Sequence, residues 1–250
     1  MTFQIILKIF SVIFICIILF IIIRHLWSNF YEKIQRPIQW NFLAKTGKIN
    51  KDLIRLENNY SDKIRLYNLW FQIERIKKEK IPGSFAELGV YQGETARIIH
   101  LLDSSRRLHL FDTFKGFSSE DLKGETGDAT AYKQKDFANT SLDKVLKYVD
   151  GNKNIVVHSG YFPETTKGLE SEIFSFVHID TDLYNPIKKG CEYFYPRLSA
   201  GGVMIIHDYN HHWDGAVKAV NEFAKTIQEN FIEVPDMYGS IMIIKNKVSL

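Results

Sequence analysis

Residues 174–208 read FSFVHIDTDLYNPIKKGCEYFYPRLSAGGVMIIHD. Two short apolar runs, FSFVHID at 174–180 and GVMIIHD at 202–208, each end in an aspartate, and a helix beginning near Pro186 fits between them. Working outward, the same kind of run recurs as FAELGV (85–90), RLHLFD (107–112), NIVVHSG (154–160) and, near the end, SIMIIK (240–245). Further helices are expected to start near Glu94, Ser141, Pro163 and Asp214. Strands alternating with helices in this way specify an α/β fold, a doubly wound, mostly parallel sheet with helices on both faces.

The chain has 250 residues, 45% of them hydrophobic, enough for one sizeable core. A net charge of only +3 excludes binding of nucleic acid by bulk electrostatics. Ahead of the α/β pattern, Phe3 to Ile23 is apolar except for Gln4, Lys8 and Ser11. As a helix it is roughly 31 Å long, the thickness of the hydrocarbon layer, so one transmembrane helix is expected within residues 1–26. The run is long for a cleaved signal, and no small-residue cleavage site follows Ile23. Arg24, His25, Lys33 and Arg36 come instead, which by the positive-inside tendency makes this a single-pass membrane protein with its main domain in the cytoplasm. The two cysteines agree: Cys16 lies inside the span and Cys191 is alone in the soluble part, which can form no internal disulfide.

Residues 27–80 are read as a connector followed by an amphipathic helix in which Leu66, Leu69, Trp70, Ile73 and Ile76 share one face, ended by IPGS. Residues 81–250 form the α/β domain.

Ligands of such sheets bind at the carboxyl ends of the strands, where strand order reverses. The residues that stand there are Glu87 and Gly89, Asp112, His158 to Gly160, Asp180 and Asp182, and His207 and Asp208. The first loop has the spacing Glu87-x-Gly89-x-x-x-Gly93, which lacks the second glycine of the dinucleotide fingerprint. An acid before the loop suits a ligand carrying an ammonium and a sulfonium better than a pyrophosphate, and S-adenosylmethionine is such a ligand. Asp112, ending the next strand, is placed to accept hydrogen bonds from its ribose hydroxyls. Ser159 and Gly160 are candidates for the adenine end of the same pocket.

The blocks AELGVYQGETA, LFDTFKGFSSED, VVHSGYFPETT, VHIDTDLYNPIKKGCEYFYPRLSAGGVMIIHDY and AVKAVNEF resemble, in order and spacing, the macrocin O-methyltransferase family, the TylF/MycF/NovP group of sugar O-methyltransferases. The resemblance covers about residues 82–245 and leaves out the span and the connector. It implies a class I, Rossmann-like S-adenosylmethionine-dependent methyltransferase fold that uses a divalent ion, usually magnesium, to methylate a hydroxyl of a sugar or similar natural product. By position, the family's D-x-D-x-Y block makes Asp180 resemble a metal ligand beside the acceptor hydroxyl, and its D-D-Y block falls on HDY. Asp208 matches the second aspartate and His207 replaces the first, which moves the preference from magnesium toward manganese, iron or zinc.

A sugar hydroxyl is a poor nucleophile near neutral pH, so the site has to acidify it or take its proton. Asp180 is the first candidate for that base, with Asp182, His178 and His207 as alternates. His211 and His212 read as a solvated loop, Tyr184 and Tyr209 as either adenosine contacts or core, and Gly201 with Gly202 as the turn that admits the fifth strand. The long charged stretch from Phe114 to Asp136 is expected to be a lid over the acceptor or a surface excursion. The membrane span suggests a lipid-linked sugar as acceptor. The competing reading is a methyltransferase-like module without catalysis, which His207 permits. A hydrolase or dehydrogenase is disfavoured, since there is neither a G-x-S-x-G elbow nor a complete dinucleotide fingerprint.

Overall fold

The computed structural model describes residues 2–151, 153–210, 212 and 214–246; His211 and the last four residues of the α/β domain lie outside these. The chain forms two compact units, residues 1–49 and residues 50–250.

In the first unit, α1 (Thr2–Gln35) is one continuous helix, and α2 (Ile38–Lys45) follows after Pro37. The stretch Phe3–Ser28 is the one helix among the described residues that is long and apolar enough to cross a membrane.

The second unit begins with α3 (Lys51–Asn59) and α4 (Lys63–Glu79). The expected connector therefore contains helices, and the second compact unit begins at Asn50. The α3 helix was hidden in sequence because it is short; its start is marked by Asn50, whose side chain accepts from the Asp52 amide. In α4 the stripe Leu66, Leu69, Trp70, Ile73 and Ile76 is buried as its periodicity predicts. The helix ends at Lys80 in the left-handed region, with the Ile81 amide bonded back to Ile76 O.

Seven strands follow: β1 (Ser84–Leu88), β2 (Leu108–Asp112), β3 (Ile155–Ser159), β4 (Phe174–Ile179), β5 (Leu198–Ile206), β6 (Ile232–Val234) and β7 (Ser240–Ile244). Their order is β3-β2-β1-β4-β5-β7-β6, parallel except for β7, which runs antiparallel to both of its neighbours. This is the doubly wound, mostly parallel sheet expected. The helices are α5 (Glu94–Leu102), the single turn α6 (Ser119–Leu122), α7 (Leu142–Val149), α8 (Tyr184–Arg197) and α9 (Asp214–Ala224). Because side chains alternate along a strand, Ala86, Leu88, Val177, Ile179, Met204 and Ile206 pack on one face with Ile187, Cys191 and Phe194 of α8 and Val220 of α9. Phe85 and Glu87 point the other way, to the face that carries α4 and α5.

Two expectations change. Pro163 opens only a 3₁₀ turn (Glu164–Thr166), because Gly168 at φ +87° redirects the chain before a second turn forms. Gly201 and Gly202 lie within β5, which starts early at Leu198; Gly201 has φ +80° and the pairing with β4 shifts there.

The register sets the site. Leu88 pairs with Phe111 and Ile179, and Ile179 with Ile206, so four central strands finish level. The next residues, Gly89, Asp112, Asp180 and His207, therefore stand on one rim. Strand order reverses between β1 and β4, at Gly89 and Asp180.

Candidate active site

A cavity of about 930 Å³ opens over this rim. Glu87, Gly89, Asp112 and Gly160 line one part of it, and Asp180, Asp182, His207 and Asp208 another. The predicted cofactor-binding, metal-binding and first-choice catalytic residues thus gather at one place, except for two. Gly93 sits outside the wall as the residue before α5, at φ +85° and packed toward Val145 and Val149. Ser159 is exposed at the end of edge strand β3 and also stands outside it.

The first loop is built from backbone contacts. Gly89 has φ +86°, and a Cβ there would lie 1.8 Å from the Asp180 carbonyl oxygen, so no larger residue fits where β1 and β4 part. Asp112 shapes the loop: Oδ2 accepts from the amides of Val90 (2.7 Å) and Tyr91 (2.9 Å), and Oδ1 from that of Phe114 (2.6 Å). Glu87 is buried, with Oε1 3.1 Å from His178 Nδ1 and Oε2 without a hydrogen-bond partner. Burial, then the charges of Asp180 and Asp112, push its carboxyl well above the usual range. A cationic group entering the cavity would relieve that accumulation of negative charge. His178 is fully buried against Glu87 and absent from the wall, which removes it as an alternate base. Burial lowers its pKa to about 3.

Beyond Gly89, Asp180, His207 and Asp208 form the one group of potential metal ligands among the described residues, with donor atoms within 4.8 Å of one another. His207 Nδ1 lies 3.1 Å from Asp180 Oδ1 and 2.8 Å from Asp208 Oδ1. Burial alone would lower the imidazole pKa, but the two carboxylates overcome it and lift it to about 10. For Asp180, burial raises the carboxyl while His207 and Arg65 outweigh it, holding it far below the ordinary range. Asp182 is pushed well above that range by burial and by Asp208 and Asp180. Both Asp182 (φ +59°) and Asp208 (φ +64°) hold left-handed conformations that non-glycine residues seldom adopt, a strain that accumulates at functional sites. His207 Nε2 and Asp208 Oδ2 are buried without hydrogen-bond partners. The convergence of His207 Nδ1 with Asp180 Oδ1 and Asp208 Oδ1, beside an unpartnered Asp208 Oδ2, fits a divalent ion that takes the place of the imidazole proton.

The sequence reading missed Arg65, Tyr60, Tyr132 and Tyr238, which also line the cavity. Arg65 reaches from α4 to place Nη1 3.2 Å from Asp180 Oδ2. Its only sequence signal is a cation directly beside the apolar stripe. Tyr132 belongs to the 114–136 stretch, which is ordered: α6 and a 3₁₀ turn at Gly127–Ala131 interrupt it. It is pinned by Tyr161 Oη donating to Asp121 (2.7 Å), by the Tyr184 amide donating to Glu125 (2.8 Å) and by Tyr132 Oη donating to Asp182 (3.0 Å). Phe117, Tyr132 and Phe137 pack on one another, and Phe137 packs on Tyr91. Tyr184 and Tyr209 pack against the core, with hydroxyls donating to Glu222 and Asn221. His212 is exposed, 3.0 Å from Asp128.

The chain is similar to known O-methyltransferases. A tetracenomycin 4'-O-methyltransferase of Streptomyces olivaceus, which acts on a 2,3-dimethoxy-rhamnosyl compound by its name, is 26% identical over 156 residues, 58% of this chain and 60% of that protein. Mycinamicin III 3''-O-methyltransferase of Micromonospora griseorubida is 29% identical over 158 residues, 58% of this chain and 62% of that one. The chain thus spans about three fifths of the length of these relatives. Among solved structures, the O-methyltransferase NovP superposes with a TM-score of 0.65 at 22% identity, covering 74% of this chain and 81% of its own. Calicheamicin methyltransferase CalS11 gives 0.58 at 20%, covering 72% and 78%. These likenesses establish the class I methyltransferase fold. Residues 24–240, nearly the whole length, match one family description, and the chain belongs to the macrocin-O-methyltransferase (TylF) family.

Proposed function

We propose that this chain is an S-adenosylmethionine-dependent O-methyltransferase that acts on a hydroxyl of a sugar or sugar-bearing natural product, assisted by a divalent ion and tethered to a membrane through α1. The observation that carries the reading is the shared cavity in which Glu87, Gly89 and Asp112 adjoin the Asp180, His207 and Asp208 cluster. The dimethoxy-rhamnosyl group in the name of the Streptomyces olivaceus relative supports the acceptor class.

Glu87 and the Gly89 loop would receive the amino-acid end of the cofactor, Asp112 its ribose, and Gly160 the wall beside the adenine. Asp180, His207 and Asp208 would hold the ion, manganese being as well suited as magnesium to a donor set that includes an imidazole. When bound, the cofactor supplies an electrophilic methyl and the ion supplies acidification of the acceptor hydroxyl. Asp180 stays ionised, so it can accept the hydroxyl's hydrogen bond and take its proton as the methyl moves. Being a weak base, it does so only from a hydroxyl already made acidic. Tyr132 and Phe117 close the cavity on the acceptor side and exclude water.

The test is calorimetric titration of the full chain in detergent with S-adenosylmethionine, with and without manganese, and with Asp208→Ala as control. Cofactor binding and a metal response lost in Asp208→Ala support the proposal, and absence of cofactor binding refutes it. For the tether, the full chain should stay with membranes through a carbonate wash and a chain lacking residues 2–28 should not. Release of the full chain by carbonate would remove the membrane from the reading. A lipid-linked sugar acceptor requires higher turnover on that acceptor than on its soluble counterpart.

A further inference from the structure

Arg65 has no place in the sequence reading of the site, yet its guanidinium contacts the central carboxylate. Its backbone amide is capped by Asp62 Oδ1 at 3.0 Å, while Asp62 Oδ2 lies 3.6 Å from Arg65 Nε and accepts from the Met237 amide at 2.9 Å. The guanidinium is therefore braced between the start of α4 and the turn that carries Tyr238, with its side chain only 11% exposed. From there Nη1 takes Asp180 Oδ2 at 3.2 Å, leaving Oδ1 facing His207. The polar contacts form one chain, from Arg65 through Asp180 and His207 to Asp208.

We propose that Arg65 is a positioning residue that sets how the Asp180, His207 and Asp208 cluster holds a divalent ion: it occupies one oxygen of Asp180, leaves only the other as a ligand, and places a fixed positive charge on that ligand's far side. The inference rests on the metal reading given above. Two consequences follow from the charges. A guanidinium next to a ligand opposes a second cation, so the cluster binds its ion loosely. A carboxylate with one oxygen engaged gives a single bond to the ion and leaves coordination positions that adjacent acceptor hydroxyls can take.

The experiment measures manganese binding to the full chain by electron paramagnetic resonance, for wild type, Asp208→Ala, Arg65→Met and Arg65→Lys, with thermal unfolding recorded for each. Binding by the wild type that Asp208→Ala abolishes establishes the metal reading itself. Given that, Arg65→Met should bind manganese at least about tenfold more tightly, the effect of removing one charge roughly 6 Å from a divalent ion even with the full screening of water. Arg65→Lys, which keeps the charge, should stay within about threefold of wild type. If Arg65→Met binds manganese equally or more weakly while remaining folded, the proposal is overturned. If Arg65→Met does not fold, the lysine variant decides, since tightening to the same tenfold extent with charge retained also overturns it. No binding that depends on Asp208 in wild type or in Arg65→Met overturns the metal reading and this proposal together.

Discussion

Replacing Gly89 by alanine tests the geometry at the point where cofactor loop and catalytic rim meet. The new Cβ would lie 1.8 Å from the Asp180 carbonyl oxygen and 2.7 Å from its carbon, where ordinary contact starts at 3.4 Å. Those are backbone atoms, held by the Asp180 amide donating to Leu88 O at 2.8 Å and the Gly89 amide donating to Phe111 O at 2.9 Å, so no rotamer change relieves the clash. The positive φ costs about 1–2 kcal/mol for any side chain, and forcing packed elements apart costs about 1–3 kcal/mol more. A total near 3 kcal/mol lowers the melting temperature by roughly 10 °C in a chain of this size. Displacement of Asp180 relative to the loop should also weaken cofactor binding by at least about tenfold, or ~1.4 kcal/mol. Gly168 supplies the control, because it has almost the same φ, +87°, and a Cβ added there would meet nothing within 4 Å. Gly168→Ala should cost only about 1–2 kcal/mol and leave cofactor affinity unchanged. Differential scanning calorimetry and cofactor titration measure both quantities. If the two variants lose the same stability and neither loses affinity, close approach to Asp180 is not what requires glycine at 89.

Tyr132→Phe removes the hydrogen bond to Asp182 and should cost about 0.5–1.5 kcal/mol, seen as several-fold faster amide exchange at residues 127–132 with the sheet unaffected; unchanged exchange there would show that this bond does not hold the stretch down. His109 is 1% exposed, 2.8 Å from His158 and facing Glu172 at 3.7 Å, and burial lowers its pKa to about 4. Its unfolded value is near 6.5, so the native state takes up the proton less readily, and stability from this group is complete above about pH 6.5 and lost as pH falls toward 4. His109→Phe should flatten the pH dependence of urea unfolding in that window by about 2–3 kcal/mol, and an unchanged slope would contradict it. Residues 81–250 alone should fail to fold, since they lack the six buried side chains of α4, on the order of 10 kcal/mol of burial, whereas residues 50–250 should melt cooperatively; circular dichroism distinguishes them.

Much of the fold was legible because strands buried on both faces leave continuous apolar runs, as β1, β4 and most of β2, β5 and β7 do. β6 left no such trace: it has three residues, and Ile232 and Glu233 are exposed, so nothing in its composition distinguishes it from a loop. The acidic rim was legible for a related reason. Asp112 closes β2, and the residues after β1, β4 and β5 follow runs whose last residues pair directly, so equal strand endings in sequence became one rim in space. Gly93 and Ser159 show the limit of that logic, for position near a strand end does not determine whether a residue faces the cavity or its outer side.

What sequence withheld is the counter-charge. Carboxylates announce a site by clustering at strand ends, but the groups that balance them come from wherever the chain folds back. Arg65 lies 115 residues before Asp180, on a helix whose periodicity explains its apolar face completely and gives its polar residues no individual meaning. A rim carrying Asp180, Asp182 and Asp208 in a buried setting accumulates repulsion, as the raised carboxyls of Asp182 and Glu87 record. His207 relieves that repulsion from within the rim, and Arg65 does so from outside it. The helix that supplies Arg65 must then be docked as firmly as the strands it serves, and its buried stripe achieves this. In this family member the segment before the first strand is thus part of the candidate site's electrostatics, and it lies inside the compact unit that begins at Asn50.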